Sequence, residues 1–150
     1  MSDPSPFMVR AEEIATRLRS LSALQGVDVI VDRQKDISTI VAQGVAKAKG
    51  ALVAVLWAGG KQVSGNPLVM EAIFEIRTYC VPTIRGENLA ADDLLAAMIP
   101  ALHEWQADTT AHCVWEFQVS GDLDLVPDKR FLFYFFPVTG RVRLTKPTTI

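Results

Sequence analysis

The segment LVMEAIFEIRTYCV, Leu68 to Val81, alternates in polarity along its whole length. Met70, Ala72, Phe74, Ile76, Thr78 and Cys80 fall on one side of a period of two, and Val69, Glu71, Ile73, Glu75, Arg77 and Tyr79 on the other. That period belongs to an extended chain whose successive side chains point to opposite faces, so the segment is read as a long strand. Its first face is apolar and needs a layer to cover it. Half of its second face is charged, which directs that side to water or to a polar partner surface. A chain built around such a strand must supply neighbours of similar length and a layer for one side only.

The neighbours and the layer are both legible. Ser5-Pro6 combines a capping residue with proline at a first helical position, and Phe7, Ala11, Ile14, Ala15, Leu18 and Leu21 then recur at spacings of three and four up to Gly26. Arg10, Glu13, Arg17 and Arg19 read as the solvated side of that helix. VDVIV (Val27 to Val31) is a short strand. Asp36 caps an expected second helix, with Ile37, Ile40, Val41, Gly44, Val45 and Ala48 on one face, Lys47 and Lys49 in its last turn and Gly50 as its stop. ALVAVLWA (Ala51 to Ala58) is apolar without alternation, as in a strand covered on both faces. A third helix is predicted from Asn88 to Trp105, with Leu94, Leu95, Met98, Leu102 and Trp105 on its core face and a kink at Pro100. AHCVWEFQVS and KRFLFYFFPV are two further strands joined by an acidic turn, GDLDLVPD.

The order α, β, α, β, β, α, β, β predicts a single α+β domain over residues 1–150, a mostly antiparallel or mixed sheet of about five strands with helices on one face. Residues 1–5 and 145–150 are expected as flexible tails. Hydrophobic residues make up 49% and charged residues 21% of the 150, enough apolar material for a folded domain without disulfides. A net charge of -2 with no block of like charges argues against a dedicated nucleic-acid surface. MSDPSPF lacks the basic and apolar regions of a signal peptide, and no apolar run reaches the roughly 20 residues of a membrane helix. Folding in a reducing cytoplasm, with Cys80 and Cys113 free, is the resulting expectation.

Motifs for chemistry are tested and mostly fail. VLWAGGKQVSGNP (Val55 to Pro67) runs from a strand into two glycines and a lysine, which invites a phosphate-loop reading. Val55 stands where the first glycine of that motif belongs, Gln62 stands where Ser or Thr should follow the lysine, and a strand comes next instead of a helix. The stretch is therefore expected to be a mobile loop between strands. Cys80, His103, His112 and Cys113 have metal-ligating atoms without paired ligand spacing. Glu71 and Glu75 lie roughly 13 Å apart along a strand, outside the roughly 5 to 9.5 Å of paired glycosidase carboxylates. Trp115, Phe117, Phe131, Phe133, Tyr134, Phe135 and Phe136 have no accompanying basic face and read as packing rather than base stacking.

NLAADDLLAAMIPALHEW followed by CVWEFQVSGDLDLVPDKRFLFYFFPV resembles the C-terminal half of tail terminator and tail completion proteins of long-tailed bacteriophages, including minor tail proteins of Mu-like phages. Ala101, Leu102 and Trp105 take the positions of the ALxxW-like helix end in that group, and the N-terminal helix and long strand extend the likeness over most of the chain. The resemblance implies a structural virion protein, not an enzyme, that forms a hexameric ring, ends the tail tube and meets the tail tube protein and the head connector. It implies no cofactor and no catalytic residue, with assembly in the host cytoplasm and a final place in the virion tail, and the missing ligand spacing argues against a metal. The residues expected at contacts are Lys61, Gln62, Asn66, Glu71, Glu75, Arg77, Arg141 and Arg143, from the long strand, the glycine loop and the GRVRLTKPTTI tail. A ligand-binding or enzymatic domain with its pocket between helices and sheet is the alternative, and an adaptor or chaperone using the same sheet is a third reading.

Overall fold

A computed structural model describes residues 5–32, 50–80, 90–107, 115–127 and 132–147. The expected second helix, from Asp36 to Lys49, lies outside the described residues, as do His112, Cys113 and Phe131.

Helix α1 spans Pro6–Arg19 and begins as its sequence dictates: Ser5 Oγ accepts the Met8 N–H at 3.2 Å, and proline occupies a first-turn position where no N–H is required. A 3-10 turn at Ser22–Leu24 leads into strand β1, Asp28–Asp32. Strands β2, Ala51–Gly65, and β3, Leu68–Cys80, form a long antiparallel hairpin, with β1 parallel to β2 on its outer side. Helix α2 spans Ala91–Leu102. Three strands complete the sheet: β4, Gln118–Val119; β5, Asp124–Pro127; and β6, Leu132–Arg143. The order across the sheet is β1-β2-β3-β6-β4, and β5 also pairs with β6. The fold is α+β with a mixed six-stranded sheet.

The period of two in β3 is realised as expected. Ala72, Phe74, Ile76, Thr78 and Cys80 are all buried beneath the helical layer, in register with Phe136 and Val138 of β6 and Val53 and Val55 of β2. Ile14 and Leu18 of α1 and Leu94, Met98 and Leu102 of α2 close the same core. Each such side chain contributes about 1.5 to 3 kcal/mol on full burial, which is what fixes two short helices to the sheet. Leu52, Ala54 and Tyr79 are buried on the opposite face, so β2 is covered on both sides in its first half, as its unbroken apolar run requires.

Four expectations are corrected. AGGKQVSGNP is not a loop: β2 runs straight through it to Gly65, absorbing irregularities between Trp57 and Gly60 and between Gln62 and Ser64. Gly59, at φ 117, supplies the left-handed backbone that the first bulge needs, and the turn itself is only Asn66-Pro67, joined by a cis peptide bond. GDLDLVPD is not simply a turn, because Asp124–Pro127 pairs with β6. GRVR is not a tail but the last turn-free stretch of β6, paired from Gly140 to Arg143 with β3. Helix α2 stops at Leu102, and Trp105 forms a bridge with Phe117 instead of ending the helix.

The bulge between β4 and β5 has a simple cause. Ser120 N–H donates to the Pro137 carbonyl at 3.2 Å, so the backbone of Pro137 faces this edge, and a proline there has no N–H to give. Four residues, Ser120 to Leu123, therefore stand opposite Phe136 and Pro137, between the paired Val119 and Asp124.

Candidate functional site

The sheet has a helical face and an opposite face that is covered over the first half of β2 and open toward the hairpin end, and the register decides which side chains reach this second, open face. Lys61 pairs with Glu71, Glu71 with Arg141, Val69 with Arg143 and Glu75 with Pro137, all on the side away from α1 and α2. Six of the eight expected contact residues are thereby gathered on one surface: Lys61, Glu71, Glu75, Arg77, Arg141 and Arg143. Gln62 pairs with Met70 and falls on the other side, while Asn66 sits exposed in the hairpin turn.

Within that surface one charge pair is loose and the other tight. Lys61 Nζ lies 3.8 Å from Glu71 Oε2, with 75% of the lysine side chain exposed. Arg77 Nε donates to Glu75 Oε1 at 2.6 Å, and the Arg77 guanidinium lies 5.7 Å from the Phe133 ring, which stacks on Tyr79. Burial works against the Arg77 cation, but its bonds to Glu75 and Tyr79 outweigh that and raise its pKa further. Glu71 and Arg141 also border a groove of about 380 Å³ at the β4 side, with Trp115, Glu116, Gln118, Thr139 and Gly140 as its other walls. The groove is not between helices and sheet, the place that the alternative ligand-binding reading gave its pocket.

Cys80 is a free thiol buried in the core, and burial pushes it up to about 11. At neutral pH it is a protonated thiol and a poor nucleophile. His103 Nδ1 accepts the Val119 N–H at 3.2 Å, a bond that ties the end of α2 to β4. Among the described residues no group of three or more His, Cys, Asp or Glu side chains converges as a metal site would. No described helix is long and apolar enough to cross a membrane.

The residues that sequence reasoning missed are on the helical face. Arg10 is 1% exposed and Glu13 9%, so the supposed solvent side of α1 is partly interior. Arg10 Nη1 donates to Glu13 Oε2 at 3.3 Å, Arg10 Nη2 donates to the Trp115 carbonyl at 3.2 Å, and the guanidinium lies 3.8 Å from the Phe117 ring centre. Phe117 stacks on Trp105 at 5.7 Å, and Arg17, which donates to the Ala101 carbonyl at 3.2 Å, lies 5.4 Å from the Trp105 ring. The stacked rings of Trp105 and Phe117 thus lie between two cations of α1, a ladder in the order Arg17, Trp105, Phe117, Arg10 beside the β4 segment. Phe117 can lie flat against β6 because residue 140 is glycine: a Cβ there would stand 2.7 Å from Phe117 Cε1. A signal was present, since Phe7, Arg10, Ile14, Arg17 and Leu21 follow the same spacing of three and four as the apolar stripe. The ladder positions the β4 edge and the Trp115 wall of the groove; it touches neither of the open-face ion pairs.

No protein-family model matches the chain, and no curated protein matches it.

Proposed function

We propose that the chain is a structural subunit of a long-tailed phage or prophage tail, one that joins copies of itself into a ring at the end of the tail tube. The observation that carries this reading is the open face. Lys61 of β2, Glu71, Glu75 and Arg77 of β3, and Arg141 and Arg143 of β6 form a charged surface across three long strands. Rigid strands hold these groups, so their spacing is fixed before any partner arrives, and mixed charge of this kind sets register and partner choice more than raw affinity. The resemblance of the α2 to β6 segment to tail terminator and completion proteins supplies the partners: neighbouring copies, the tail tube protein and the head connector. Host cytoplasm during assembly and the finished tail afterwards are the corresponding locations.

The test is direct. Electron microscopy of assembled particles, with the protein marked by a bound antibody, should find six copies at the head-proximal end of the tail. Label at the distal tip, or none on particles, overturns the assignment. The groove beside Arg141 favours a second reading, a site for a small polar ligand. Saturable heat on titrating small carboxylates or amines, lost in Arg141→Ala, would support that reading over the first.

A further inference from the structure

Among the described residues both edges of the sheet are blunted against strand addition, each by its own device. The β2–β3 and β1–β2 registers direct the N–H and C=O of Val29 away from β2, onto the outer edge of β1. That outward carbonyl is already taken: Arg19 donates to it from Nε at 3.2 Å and from Nη2 at 2.6 Å, and Glu12 lies 3.7 Å from Arg19 Nη1. At the other edge the alternation along β6 turns Leu125 and Pro127 outward, and Pro127 has no N–H. Short length, a bulge, proline and charge are the usual means of blunting a strand edge. Blunted edges of this kind favour contact with a second copy through side chains over extension of the ladder.

Among the described residues the β5 edge is nonetheless one of two places where large apolar side chains come to the surface, the other being the hairpin end with Val63, Leu68 and Ile73. Leu123 and Leu125 are each 49% exposed and Val126 39%, and the exposed Asp122 and Asp124 are interspersed with them. The complementary chemistry lies elsewhere on the same chain. Lys61, Arg141 and Arg143 are exposed at the hairpin end of the open face, where Glu71 is already engaged by Lys61, and Ile73, 37% exposed, adjoins them opposite Thr139. We infer that the acidic, apolar ridge Asp122 to Val126 of one copy docks on the Lys61, Ile73, Arg141 and Arg143 corner of a second copy. This rests on the ring-subunit reading and names its contact. Because the two halves are different surfaces, the contact is heterologous, and it generates a ring when the rotation between copies closes.

The experiment uses two variants of the full chain, Asp122→Lys/Asp124→Lys and Arg141→Glu/Arg143→Glu, all at exposed positions, with thermal melting confirming that both fold. In low salt the wild type should sediment above monomer as its concentration rises to about 1 mM, and near 1 M salt, where the screening length is about 3 Å, it should return to monomer. Each variant alone should associate at least tenfold more weakly. An equal mixture should recover association, since the basic ridge of one then meets the acidic corner of the other. A wild type that stays monomeric, variants that associate like wild type, or a mixture that gains nothing overturns the contact. Six copies on tails with either variant present would overturn the contact and leave the tail reading standing. Salt-sensitive association by a protein absent from tail particles would do the reverse.

Discussion

The molecule carries two sets of ion pairs built from the same residue types, and they do opposite things. Under α1, Arg10 and Glu13 are buried, with Arg10 locked between a carboxylate, a carbonyl and an aromatic ring. On the open face the Lys61 side chain is mostly in water beside a partly exposed Glu71, while Arg77 and Glu75 keep 31% and 24% exposure. A buried pair loses hydration that its mutual attraction barely returns, so it adds little net stability while making the loss of either partner expensive. An exposed pair contributes about 0 to 1 kcal/mol and can exchange partners freely. The first set fixes where the β4 segment sits, and the second is left available for something else.

Removing Arg10 is the severest way to break that contrast. Arg10→Ala should cost about 3 to 5 kcal/mol in chemical denaturation, because it strands a buried carboxylate, frees the Trp115 carbonyl and empties one face of Phe117. Arg10→Met with Glu13→Leu should recover most of that loss, since the pair can be exchanged for apolar volume but the bond to Trp115 cannot. The pH dependence supplies a second check. Burial raises the Glu13 pKa from its ordinary value of 4.5, with Arg10 pulling the other way, so the folded protein holds this proton more tightly than the unfolded chain. The Glu13 contribution is therefore full below pH 4.5 and is lost as pH rises through the folded value. Wild type measured against Glu13→Gln should lose relative stability on going from acid to neutral pH; a gain would mean that Arg10 outweighs burial.

Trp105→Ala comes next, at about 3 kcal/mol, the low end for an aromatic truncation because the ring is only half-buried. It removes the stack on Phe117 and the seat of Arg17. A melting temperature within a degree or two of wild type would mean that the ladder does not hold the β4 edge. Gly140→Ala tests the same stack from below. The added Cβ would meet Phe117 Cδ1 at 2.8 Å and Arg10 Nη2 at 3.3 Å, an overpacking worth about 1 to 3 kcal/mol. Thermal unfolding should show the loss, and Phe117→Leu in the same chain should relieve part of it.

How much of this was legible depended on whether a residue's neighbours were close in sequence. The cap at Ser5, the faces of β3 and the two-sided cover of β2 follow from local pattern, and the open-face charges of β3, Glu71, Glu75 and Arg77, follow from its period; Lys61, Arg141 and Arg143 join them only through the pairing of β2 and β6. The ladder followed only in part: spacing places Arg10 and Arg17 beside the apolar stripe, but the bond from Arg10 to Trp115 spans 105 residues and nothing near Arg10 hints at a ring for it to rest on. The extension of β2 through AGGKQVSGNP was hidden for another reason. Glycines and turn residues normally punctuate strands, and only pairing with a long, regular β3 holds them extended. The same holds for Asp124–Pro127, whose acids and proline read as a turn until β6 supplies a partner.

Lys61→Ala should have the smallest effect of all, and for that reason it sharpens the contrast most. Lys61 is in the short paired stretch of β2 between its two irregularities, directly opposite Glu71, with its ammonium 3.8 Å from the carboxylate and 75% of its side chain in water. Stability should change by no more than about 0.5 kcal/mol, as for most surface positions. The strand also disposes of the phosphate-loop reading on geometric grounds. Gly59 and Gly60 are part of a bulged strand, no helix N-terminus follows the lysine, and the backbone N–H groups of an extended chain point alternately to opposite edges and cannot converge on one anion. Calorimetric titration with ATP should give no saturable heat in either wild type or Lys61→Ala. If the substitution instead weakens self-association in low salt while the melting temperature stays put, the lysine belongs to the docking corner. Binding of ATP that the substitution abolishes would show that this end of the hairpin rearranges in solution into something other than a strand.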